Sequence, residues 1–140
     1  MISNEEKECK KYVVKLEEAI SGVLHGGAGV FRLLLDVENC GARNFSLMVN
    51  TMKAGVKGDE HKHDNTEHAW YILKGTGTYY LDGKPYRIGP DMAVFAPANA
   101  YHKIDVDPDE DLTYVLIYAP PGPEQKLKKY GAHAFDTDKK

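Results

Sequence analysis

From Val30 onward the chain is cut into short apolar runs by turn-forming residues, and this spacing constrains the fold more than any other feature. The runs are VFRLLLDV (Val30–Val37), NFSLMVNTM (Asn44–Met52), HAWYILKG (His68–Gly75), TYYLDGKPYRIG (Thr78–Gly89), MAVFAP (Met92–Pro97) and LTYVLIYAP (Leu112–Pro120). None sustains a helical period over the length a buried helix needs, and each is about as long as a strand. NFSLMVNTM alternates, with Phe45, Leu47 and Val49 on one face and Ser46, Met48 and Asn50 on the other, as a half-buried strand does. Asp82-Gly83 splits TYYLDGKPYRIG with the residue pair favoured in a type I′ hairpin turn. Strands of this length and spacing predict an all-β fold, a single-domain antiparallel β-barrel or jelly roll.

The 140 residues fit one domain. The divisions expected are a charged tail over 1–11, a barrel with N-terminal strands over 12–122, and a C-terminal tail over 123–140, proline-rich and then basic. Tyr12 to Ile20 carries only a weak helical or extended pattern. The glycine-rich SGVLHGGAGV lacks the Lys-Ser/Thr pair and the strand–loop–helix setting of a phosphate cradle. Composition is that of a folded soluble protein, 42% hydrophobic and 28% charged. A net charge of -3 gives no electrostatic reason to expect nucleic acid. The charged start lacks the apolar run of a signal peptide, and no stretch is long enough to span a bilayer. The expected location is the cytoplasm, with Cys9 and Cys40 as reduced thiols rather than a disulfide framework.

Three of the six histidines fall in HKHDNTEH: His61, His63 and His68. On a strand, residues two apart share a face, so His61 and His63 can bind one ion together. His102 follows far along the chain, on the loop PANAYH just past MAVFAP, and a barrel can bring that rim beside the first strands. Imidazoles suit manganese, iron, cobalt, nickel, zinc or copper, and do not suit calcium or magnesium. Alternation alone does not choose between Glu67 and His68 as a further ligand. His68, Trp70 and Ile72 share one face, Glu67, Ala69, Tyr71 and Leu73 share the other, and both faces are apolar.

The stretch Gly55-VKGDE-His61-K-His63-DNTE-His68-AWYILK-Gly75 resembles the first motif of the cupin superfamily, and Pro97-A-Asn99-AY-His102 resembles the second, PxGxxH. The likeness covers about Val30 to Pro120. In the first motif a glutamate stands six residues before the closing glycine, and counting back from Gly75 lands on His68. Glu67 is out of register by one, which on a strand is the opposite face. A subset of small bacterial cupins similarly carries four histidines with an acidic neighbour, and the resemblance implies the ligand set His61, His63, His68 and His102. Asn99 replaces the motif glycine, a substitution the left-handed region tolerates. The glycine upstream of the second motif is displaced in GPDMAVFAP, and no asparagine follows His102.

A divalent transition metal on four neutral imidazoles keeps its full charge and, if octahedral, two neighbouring open positions. The resemblance then implies a metal-dependent enzyme acting on a small, oxygen-rich, anionic metabolite, with a lean toward dioxygenase-type oxidation. The alternatives are a redox-neutral isomerase or lyase step through a metal-bound enolate, and a non-catalytic cupin that only holds a small ligand. Tyr101 and Glu67 are the candidate catalytic residues, Glu67 either as acceptor for an imidazole N–H or as an exposed rim charge. Trp70, Ile72, Met48 and Tyr101 are candidates for the pocket wall, Arg32 and Lys53 for pairing with an anionic substrate, and His25 for covering the barrel mouth. Small cupins are often homodimers, and VFRLLLDV is the candidate exposed edge strand that a partner would cover.

Overall fold

Alternating burial along nine antiparallel strands organises residues 11–24 and 27–128, which the computed structural model describes. The charged tail over 1–10 with Cys9, the pair His25-Gly26, and 129–140 with His133 lie outside the described residues. After a single 3-10 turn at Leu16–Glu18 come β1 (Ile20–Leu24), β2 (Gly29–Leu35), β3 (Ser46–Met52), β4 (Glu67–Lys74) and β5 (Gly77–Leu81). They are followed by β6 (Lys84–Ile88), β7 (Ala93–Ala96), β8 (His102–Val106) and β9 (Leu112–Ala119). A short helix, α1, spans 123–128. No helix among the described residues is long and apolar enough to cross a membrane.

Two sheets form the barrel, one of six strands in the order β1-β2-β3-β9-β4-β7 and one of three in the order β6-β5-β8. β9 is the central strand of the larger sheet. It pairs with β3 from Met52↔Leu112 to Ser46↔Tyr118, and on its other side with β4 from Glu67↔Ala119 to Lys74↔Thr113. Its burial alternates without a break: Leu112, Tyr114, Leu116 and Tyr118 face inward. On β4 the inward set is His68, Trp70 and Ile72, and on β8 it is His102, Ile104 and Val106. The two sheets therefore bury Phe31, Leu33, Met48, Trp70, Ile72, Ile104 and Leu116 in one core. At roughly 1.5–3 kcal/mol per fully buried large side chain, that core is the main favourable term of the fold. The nearly all-β antiparallel architecture agrees with the fold class expected from the sequence.

On β3 the inward face is Ser46, Met48 and Asn50 rather than the more apolar Phe45, Leu47 and Val49. Asn50 and Ser46 remain inside because each has a polar partner there. Asn50 accepts from the Arg32 N–H, and Ser46 donates to Glu124. The turn expectations hold: Asp82 and Gly83 both have positive φ in the two-residue β5–β6 link, and Asn99 is left-handed at φ 66°. Cys40 is a free thiol.

One expectation changes. VFRLLLDV is not an edge strand, because β1 pairs along one side of β2 from Ile20↔Leu33 to Leu24↔Gly29 while β3 takes the other. The edges of that sheet are β1 and β7. Within the expected C-terminal tail, α1 folds back onto the barrel and Glu124 is fully buried.

Gly75 closes β4 at φ +90°, and a Cβ there would stand 2.3 Å from the Asp111 carbonyl oxygen and 2.9 Å from the Leu112 Cα. Both the dihedral and the contact are with backbone that cannot easily yield. Gly75→Ala is expected to lower unfolding free energy by about 2–4 kcal/mol, measured as a shifted midpoint in denaturant. An unchanged midpoint would mean that the turn has room the structure does not show.

Candidate metal centre

Four imidazoles reach one end of the barrel from three different supports. His68 projects inward from β4 of the larger sheet, His102 from the first residue of β8 in the smaller one, and His61 and His63 from the link between β3 and β4. HxH is thus not part of a regular strand. Its placement comes from an isolated bridge, in which the His61 N–H donates to the His102 carbonyl at 3.1 Å and the His102 N–H to the His61 carbonyl at 2.8 Å. A further bond from the Asn99 N–H to the His63 carbonyl, 2.9 Å, ties the same link to the turn PANA. His102 begins a strand rather than sitting on a loop because that bridge extends β8's pairing, which already includes Leu81↔His102.

One ring nitrogen each of His61, His63 and His102 can be chosen so that all three lie within 4.8 Å of one another. His68 adjoins this group of three, its ring centroid 4.3 Å from that of His63 and 4.9 Å from that of His102. The outer nitrogens of two rings are held by carbonyls: His61 Nδ1 is 2.8 Å from the Asp59 oxygen, and His102 Nδ1 is 3.1 Å from the Ala100 oxygen. A carbonyl only accepts, so both Nδ1 atoms carry hydrogen and both Nε2 lone pairs are free for a ligand. His63 Nε2, both nitrogens of His68 and His102 Nε2 are buried with no hydrogen-bond partner. Leaving one such group unsatisfied costs about 1–3 kcal/mol. Neutral imidazoles with free lone pairs, converging and otherwise unpartnered, suit a transition-metal ion.

Burial keeps His63, His68 and His102 neutral. Burial, reinforced by neighbouring imidazoles, pushes His68 down to about 2 and His63 down to about 4. Lys126 adds to the repulsion at His63, while Asp64 opposes it. Burial also lowers His102, against the hydrogen bond to Ala100 that raises it. A metal ligand must be the unprotonated base, so these shifts favour the binding form near neutral pH.

The cluster opens into a cavity of about 900 Å³ between the sheets. Its wall includes Trp70, Leu116, Asn50, Tyr114 and Tyr118. Tyr118 lies against the histidines, its ring centroid 4.2 Å from that of His68, and burial holds its phenol well above the usual range. Tyr114 is likewise pushed up to about 12 by burial, less a smaller opposing contribution from Asn50. Tyr114 and Tyr118 were not singled out in the sequence, although the alternation of LTYVLIYA puts both on one face.

Other expected residues lie elsewhere. Tyr101 is 47% exposed and does not line the cavity, because it adjoins His102 and neighbouring residues of an extended chain face opposite ways. Glu67 is exposed for the same reason beside His68, and no histidine bonds to it among the described residues. The imidazole N–H groups of His61 and His102 use backbone carbonyls instead. Of the expected wall, Trp70 faces the cavity, whereas Met48 and Ile72 are fully buried in the core behind it. Arg32 reaches Thr51 and the Val49 carbonyl on the outer face of the sheet, and neither it nor the exposed Lys53 lines the cavity. The lysines that do are Lys57, Lys62, Lys103 and Lys126.

A two-sheet antiparallel barrel with converging histidines at one end defines a class of small β-barrel with a candidate metal site. Residues 48–118, just over half of the chain, match the Cupin domain family, and the chain belongs to the cupins. An uncharacterised protein of Methanocaldococcus jannaschii is 27% identical over 105 residues, 75% of each chain. Among solved structures, KdgF from Halomonas sp. superposes with a TM-score of 0.71 at 15% identity, covering 83% of this chain and 99% of that one. A predicted oxalate decarboxylase from Thermotoga maritima gives a TM-score of 0.69 at 21% identity, over 78% and 99%. At these identities the structural likeness establishes the fold.

The histidine shifts carry a pH dependence. In the unfolded chain imidazoles bind protons near their ordinary value, about 6.5. In the metal-free fold His63 resists protonation to about 4 and His68 to about 2. Between those limits the unfolded state holds more protons, so stability falls as pH drops below about 6.5. The melting temperature of metal-free protein should therefore decrease steadily from about pH 7 to pH 4.5, and His68→Asn should flatten part of that slope. A profile identical in wild type and variant would mean that His68 titrates normally in the fold.

Proposed function

We propose that the chain is a metal-dependent cupin enzyme acting on a small, oxygen-rich, anionic metabolite, with His61, His63, His68 and His102 holding one divalent transition ion. The observation that carries this reading is the set of buried, unpartnered ring nitrogens on His63, His68 and His102 facing one cavity. Such an ion, of manganese, iron, cobalt, nickel, zinc or copper, would supply a Lewis-acid centre for a chelating oxygen ligand. The protein's own contribution is orientation and dryness. Asp59 and Ala100 hold two imidazoles in the ligating tautomer, and Trp70, Leu116 and Tyr118 shield the inner side of the cluster. Asn50 and Tyr114 provide polar groups deeper in the cavity.

An all-nitrogen ligand set with neighbouring open positions suits oxidation in which dioxygen and substrate meet at one centre, and that is the first reaction class to test. A redox-neutral isomerase or lyase step is the second reading. It is favoured by Tyr118, whose ring lies on the cavity wall against His68 and whose hydroxyl has no hydrogen-bond partner among the described residues. A phenol there is placed to give a substrate oxygen or carbon a hydrogen bond or a proton.

Metal analysis of untagged protein should find about one transition ion per chain, and His68→Ala should lose at least about tenfold in metal affinity while Glu67→Ala keeps it. The reverse result would restore a three-histidine, one-carboxylate site. Absence of bound ion, with no gain in melting temperature on adding manganese, iron, nickel or zinc, would overturn the enzyme reading. With metal bound, oxygen consumption over a panel of diketones, catechols and hydroxy acids separates the two reaction classes.

A further inference from the structure

Helix α1 follows the last barrel strand and is held by buried polar contacts. Ser46 Oγ donates to Glu124 Oε1 at 2.9 Å, and both residues are fully buried. The same oxygen accepts the Gly122 N–H at 2.7 Å. One turn on, Gln125 Nε2 and Lys128 Nζ reach Asp36 Oδ2 at 3.0 and 2.9 Å, and Asp36 is 1% exposed. Buried, charge-assisted bonds of this kind fix a segment far better than exposed ion pairs do. With residues 124, 125 and 128 turned to the barrel wall, the remaining side of the helix, Pro123, Lys126 and Leu127, forms part of the cavity lining. The helix places one cation over the space that the histidines face.

Four lysines and two carboxylates, Asp59 and Asp64, lie on the cavity wall, so the lining is cationic on balance. Two of the four lysines are engaged elsewhere. Lys103 pairs with Asp105 at 3.5 Å and sits over the Tyr80 ring, and Lys62 sits over the exposed Tyr101 ring. Lys126 makes no ion pair or hydrogen bond with any described residue. The Lys57 side chain makes none either, and of these two Lys126 is the one carried on α1, which the bonds of Glu124, Gln125 and Lys128 pin to the barrel.

We propose that α1 is a substrate-recognition element: Lys126 binds a second, remote carboxylate of an acid whose other end chelates at the histidine cluster. The preferred ligands are therefore small dicarboxylates with a chelating oxygen pair, rather than neutral diols or monoacids. This rests on the reading that the histidines hold a metal and a chelating ligand. The cavity, about 900 Å³, is ample for an acid of four to six carbons. A partly exposed lysine–carboxylate contact adds modest affinity and more discrimination, and it is screened by salt.

Malate and 2-hydroxybutyrate present the same hydroxy-acid chelate on four carbons and differ in the remote carboxylate. Calorimetric titration of the cobalt-loaded protein should show malate binding about five- to tenfold more tightly, a gap that narrows as salt is raised. Lys126→Gln should erase the gap while leaving metal content, melting temperature and 2-hydroxybutyrate affinity unchanged. Lys126→Arg should keep it. Equal binding of the two acids by the wild type, or a gap that survives Lys126→Gln, overturns this inference and leaves the metal-site reading standing. Failure of both acids to bind a protein that holds cobalt counts against the chelating-ligand reading itself, and this inference falls with it.

Discussion

Strand geometry forces every side chain to one face of a sheet or the other, and in this chain that two-residue period decides both core and site. β9 lies between β3 and β4, so its inward row, Leu112 to Tyr118, meets inward rows on both sides. Trp70 and Ile72 on β4 follow from the same register, and so does His68. A shift of one residue would bring Glu67, Tyr71 and Leu73 inside and send His68 to solvent. The hydrophobic requirement that buries Trp70 and Ile72 is therefore what delivers an imidazole to the cavity. The site is a by-product of core packing at one end of the barrel.

Burial of the imidazoles has an electrostatic consequence that packing alone does not require. Neutral rings whose unprotonated nitrogens lack a partner are costly to keep dry unless something accepts their lone pairs. Here the fold holds His63 and His68 neutral well below ordinary histidine values, and uses carbonyls rather than carboxylates to orient His61 and His102. Orientation by neutral acceptors leaves a bound cation's charge uncompensated by the protein. On the function proposed above, an anionic, chelating ligand would complement such a centre. The lysines around the cavity point in the same direction.

Much of the fold was legible because its signals are local. Asp82-Gly83 adopted the turn its residue types demand, Asn99 took the left-handed conformation, and the apolar runs became strands close to where they were read. The grouping of His61, His63 and His102 was legible through motif spacing, and the inward face of His68 through its count of residues to Gly75. What failed depended on distant neighbours. VFRLLLDV looked like an edge because nothing in it announces that β1 will pair with it. Tyr101 and Arg32 were assigned to the pocket by chemical type, but their strand faces or neighbours turned them away from it.

By itself the sequence determined an antiparallel barrel of the cupin family, because period-two burial, turn residues and motif spacing are encoded within a few residues of one another. Only the tertiary structure decided what stands around the histidines. His61 and His63 are positioned by a backbone bridge to β8, a contact across the barrel that no local pattern predicts. Tyr118 and Asn50 reach the cavity through pairing in the larger sheet. Lys126 does so because Ser46 and Asp36, far upstream in the chain, bury the opposite side of its helix. Side-chain type and spacing are local properties, whereas a cavity is defined by which surfaces the closed fold brings face to face.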